Sequence, residues 1–213
     1  ADAAHQAAIR NGDAKLQEVT KSNLSAAKSA ETAAVGVAQA EANYAKAVES
    51  GNEAQIAAAR AKLDTANAVN DKAQAMQVKT EADVKATAAK QVVAQAEAKY
   101  EQAKQSGDTV VQTAAKSQLD MAKAHAATAD ANAQKVAANT NLTQAKQELS
   151  QAQAAVKAAK TPEEKAAAQA QVKSAKQSVA KAESGYRKVS AEAKVAEAKQ
   201  GVATATANHQ AAV

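Results

Sequence analysis

Three times in this chain a glycine followed by Asp or Asn interrupts an alanine-rich run: Asn11-Gly12-Asp13, Ser50-Gly51-Asn52 and Ser106-Gly107-Asp108. Glycine accepts the left-handed backbone that closes a helix, and the next side chain caps the free N–H groups of the following helix. The punctuation belongs to a longer block. Ala40–Asp64 reads AEANYAKAVESGNEAQIAAARAKLD and Ala96–Asp120 reads AEAKYEQAKQSGDTVVQTAAKSQLD. Tyr44 and Tyr100 stand seven residues before their glycines, and Leu63-Asp64 and Leu119-Asp120 begin twelve after them. Leu24 keeps that spacing from Gly12, and His5 takes the place of the tyrosine. The chain is therefore an internal repeat of helix–turn–helix units.

A fourth junction is chemically different. Thr161, Pro162 and Glu164 form a capping box with proline at the first helical position, and Val172 falls near where the other copies place leucine. Helices are expected at 13–50, 53–105, 108–160 and 163–200, with short arms at 1–11 and 202–213. At 1.5 Å per residue the middle pair would be roughly 80 Å long. With their arms in line, 1–50 and 163–213 approach that length, and Gly12 and Gly201 fall at matching heights. The expected fold is all-α: one domain over 1–213, an elongated antiparallel four-helix bundle or coiled-coil-like rod. Gly36 and Gly185 lack a following cap and read as kinks or close-packing points.

Composition limits how such a bundle holds together. Of 213 residues, 66 are Ala, 19 Val, 6 Leu and 2 Ile, with a single Pro. Alanine has the best helix propensity, and Lys, Gln and Glu lie close behind. It also buries little apolar area, so close helix approach must replace bulky packing. On 53–105 the larger residues Ile56, Leu63, Val69, Met76, Val84, Val92 and Tyr100 suggest one narrow core stripe, filled in by Ala59, Ala66, Ala73, Ala88 and Ala96. Asn70 and Gln77 intrude where strict heptads want apolar side chains, which favours alanine-mediated contact over leucine packing.

The same inventory narrows function. A net charge of +5 is spread along the chain, and three Tyr without Trp or Phe offer no stacking platform for nucleic acid. No apolar run reaches the ~20 residues of a membrane-spanning helix. Without cysteine there is no disulfide framework. His5, His125 and His209 lie far apart in sequence; the bundle would bring His5 and His209 to similar heights, but tetrahedral metal sites need further ligands. Glu97, Glu101, Glu163 and Glu164 suit helix-dipole and ion-pair roles. Tyr44, Tyr100 and Tyr186 suit packing better than contact hot spots. No catalytic, cofactor-binding or metal-ligating residue is assigned, and no enzymatic activity is expected.

The block YxxAxxSG followed by Asp or Asn, an alanine-rich helix and LDxA resembles the α-helical hairpin of periplasmic adaptor (membrane fusion) proteins. Tyr44, Ala47, Gly51, Leu63, Asp64 and Ala66 carry it once, and Tyr100, Ala103, Gly107, Leu119, Asp120 and Ala122 again. The likeness covers about half the chain, which repeats the hairpin and has no strand-rich segment. Composition also resembles alanine-rich desiccation-protective and helical antifreeze proteins. The expectation is a non-enzymatic structural, spacer or surface-interaction protein, extracytoplasmic (secreted, periplasmic or cell-surface). Its partner would be a protein, a surface or another copy of itself. The alternative is an amphipathic-helix binder of lipid, ice or another surface. Ala1-Asp2-Ala3 would suit a mature end left by signal cleavage, and the two arms resemble pieces of neighbouring units in a longer array.

Overall fold

The computed structural model describes residues 1–212. Among them are five helices and no strand: α1 Asp2–Arg10, α2 Ala14–Ser50, α3 Glu53–Ser106, α4 Thr109–Ala158 and α5 Pro162–Ala212. The punctuation works as its chemistry dictates. Gly12, Gly51 and Gly107 take φ of 69°, 68° and 74°. Asp13 Oδ1 accepts from the Leu16 N–H at 2.7 Å, Asn52 Oδ1 from Ala54 and Gln55, and Asp108 Oδ1 from Val110 and Val111. At the fourth junction the Glu164 N–H donates to Thr161 Oγ1 at 3.1 Å, while Glu164 Oε2 accepts from the Lys160 and Thr161 N–H groups.

Both arms differ from expectation. Residues 1–10 do not extend α2. Gly12 reverses the chain, so α1 packs back along α2, with His5 Nδ1 3.1 Å from Thr20 Oγ1 and the Gln17 amide donating to the Ala8 carbonyl. At the other end Gly201 is no break: α5 runs through it to Ala212. With no cap after it, an isolated helical glycine costs only about 1 kcal/mol, which the rest of a 51-residue helix absorbs. Val213, the last residue of that arm, lies outside the described residues. Gly36 and Gly185 are likewise helix interior, and a Cβ added at either would meet nothing within 4 Å, so neither is a close-packing point.

Burial follows a three–four heptad spacing carried mainly by alanine. On α5 the sheltered positions run Ala168, Val172, Ala175, Val179, Ala182, Tyr186, Val189, Ala193, Ala196, Gln200, Ala203 and Ala207. On α2 they run from Leu16 and Val19 through Asn23, Ala26, Ala30, Ala33, Val37 and Ala40 to Tyr44 and Ala47. The two middle helices each carry two such series. On α3 one passes from Ile56 through Asn70 and Thr80 to Gln91, and the other from Ala75 through Ala86 and Ala96 to Ala103. The second is displaced by two residues, about 200° around the helix, so α3 buries nearly opposite faces. On α4 one series includes Leu119, Ala126 and Thr140, and the other Thr128, Leu142 and Ala152.

The chain divides into two compact units, residues 1–80 with 140–179, and residues 81–139 with the chain from Ala180 on. In the first, Thr80 Oγ1 donates to Asn23 Oδ1 across α2 and α3, partners almost equally far in sequence from the Gly51 turn, as antiparallel pairing requires. Thr140 Oγ1 and Gln147 Nε2 on α4 donate to the Ala75 and Ala68 carbonyls of α3. In the second unit Thr128 Oγ1 reaches the Ala196 carbonyl of α5 at 3.1 Å, and Lys90–Asp130 and Glu97–Lys123 pair α3 with α4. The carbonyls at Ala8, Ala68, Ala75 and Ala196 share a reason: a methyl side chain leaves the backbone oxygen within reach of a neighbouring helix.

This geometry corrects the expected stripe. Val69, Met76 and Val92 are 51–55% exposed, whereas Ala86 and Ala89 are buried. The helices lie close enough for alanine to fill the seam, and several larger aliphatics stand outside it.

Candidate functional site

The candidates named from the sequence are placed as structural groups. His5 is held between α1 and α2 by Thr20, whose hydroxyl also donates to the Leu16 carbonyl at 2.7 Å. Thr20 is 1% exposed, so this pair anchors the hairpin. His125 and His209 are exposed. Among the described residues, no group of three or more His, Asp or Glu side chains is arranged to hold a metal ion. Tyr44, Tyr100 and Tyr186 all occupy seam positions and are half-buried. The Lys104 ammonium sits 5.3 Å from the Tyr100 ring centre and 2.7 Å from Glu101. The hydrogen bond to Glu101 raises the Lys104 pKa above its ordinary value, against a smaller opposing effect of desolvation. Glu163 stands in the first turn of α5 beside the capping Glu164. The backbone N–H groups of Lys160 and Thr161 hold the Glu164 carboxyl below the usual carboxylate range.

The feature that reading the sequence missed is a groove in the first unit. α3 forms its floor with Val69, Ala73 and Met76, α2 one wall with Ser29 and Ala33, and α4 the other with Thr140, Thr143, Gln144 and Gln147. The cavity measures about 480 Å³. A second of about 540 Å³, lined by Ser25, Lys28, Thr32, Gly36 and Ala66, shares Ser29, Ala33 and Val69 with it. The bonds from Gln147 to Ala68 and from Thr140 to Ala75 stitch α4 to α3 beside the floor. The sequence does carry a signal: Val69 and Met76 are seven apart, each one residue before the seam positions Asn70 and Gln77. Without the backbone that offset is indistinguishable from core.

Alanine-seamed, capped antiparallel helices define the class, an all-α helical bundle. Comparison with known protein families, with curated proteins and with solved structures finds no match.

Proposed function

We propose that the chain is a non-enzymatic structural protein, a stiff alanine-rich helical spacer that presents its surface to a protein or surface partner. The observation that carries this reading is helix continuity. α3, α4 and α5 contain 54, 50 and 51 residues, joined by turns whose N-terminal caps all have their side-chain hydrogen bonds. Glu164 caps α5, and Glu101 and Glu97 pair with Lys104 and Lys123. No helix among the described residues is long and apolar enough to cross a membrane. An extracytoplasmic setting is proposed on the resemblance of the Tyr44 and Tyr100 hairpins to those of periplasmic adaptor proteins.

Spin labels on cysteines introduced at the exposed positions Arg60 and Lys99 of α3 test the stiffness. A rigid helix places them about 58 Å apart. Pulsed dipolar spectroscopy should give a narrow distribution there; a broad one centred well below it would count against a spacer.

A further inference from the structure

We propose that the groove over α3 binds a free single-chain anionic amphiphile, a long-chain carboxylate whose tail lies along Val69, Ala73 and Met76. Val69 and Met76 are 55% and 51% exposed although they lie between the walls of α2 and α4. They are therefore apolar surface that the helix seams do not use. The groove also has one sign of charge: the charged side chains lining the two joined cavities are Lys28, Lys72 and Lys79, with no carboxylate among them. A tail on the apolar floor would bring its head group within reach of a lysine at the rim. Each cavity falls within the ~300–1,000 Å³ typical of small-molecule sites. From Val69 to Lys79 the floor extends roughly 15 Å along the helix, suited to an extended alkyl chain.

Gly36 also lines the second cavity, where a Cβ would meet nothing within 4 Å.

Isothermal titration with laurate, below its micelle concentration, tests the site. The wild-type chain should bind saturably with one-to-one stoichiometry. Dodecyltrimethylammonium, with the same tail and the opposite charge, should bind at least about tenfold more weakly. The double variant V69Q/M76Q, altered only at exposed positions, should keep its helicity and melting temperature and lose about tenfold or more in laurate affinity. K72E, also at an exposed residue, should weaken laurate and improve the cation. The proposal is overturned by unsaturable laurate binding, by equal affinity in V69Q/M76Q, or by equal affinity for the cationic amphiphile. Sedimentation with equimolar phosphatidylcholine–phosphatidylglycerol vesicles without laurate binding would overturn it in favour of a bilayer surface.

Discussion

Asn70 is the residue at which this chain departs from its own rule. It occupies a seam position on α3 between Ala66 and Ala73, and its side-chain Oδ1 is buried with no hydrogen-bond partner. Thr80 and Asn23, two further polar seam residues, meet across the same helix pair, and the Thr80 hydroxyl also bonds the Gln77 carbonyl. An unpaired buried acceptor costs about 1–3 kcal/mol, and alanine is both smaller and the better helix former. Asn70→Ala is therefore expected to stabilise the protein by about 1 kcal/mol in urea denaturation; a lower midpoint would show that Asn70 is satisfied in solution. Glu164 sets a pH dependence at the same scale. Its folded pKa is depressed, so its contribution is present above the ordinary carboxylate pKa and is lost as pH falls through the lowered folded value. Glu164→Gln should flatten the decline in thermal stability on acidification through that window, measured against wild type by circular dichroism. An unchanged acid limb would remove the cap from the account.

At the scale of the helix, the same substitution at two glycines should have opposite signs. Gly201 lies inside α5 with open space around it, so Gly201→Ala is expected to stabilise by about 1 kcal/mol. Gly107 holds φ 74°, a left-handed conformation that costs an L-residue about 1–2 kcal/mol, so Gly107→Ala should destabilise by that amount. Equal effects in chemical denaturation would mean that Gly201 marks a real break. These two positions also show how far the elements could be read from sequence. Gly107, with Asp108 behind it, announces a turn because stop and cap are local chemistry. Gly201 carries only half the signal, and the long helix around it decides. The seams were harder to read for another reason. On α3 two heptad series interleave on nearly opposite faces, so no single stripe emerges, and a search for large residues lights on Val69 and Met76, which lie outside both. The groove was hidden by the same error: its floor consists of residues that looked like core.

For the whole molecule, function rests on whether long, braced helices make a spacer. The turns, the caps and the antiparallel seams all follow from residues in the sequence, and the seams hold helices close within each unit. The bonds from Gln17, Thr128, Thr140 and Gln147 end on alanine carbonyls of a neighbouring helix, so they depend on that close approach. Small-angle X-ray scattering tests the central claim most directly. A spacer built on a 54-residue helix should show a maximum dimension of about 80 Å or more. A maximum dimension near ~50 Å, shorter than that single helix, would contradict it.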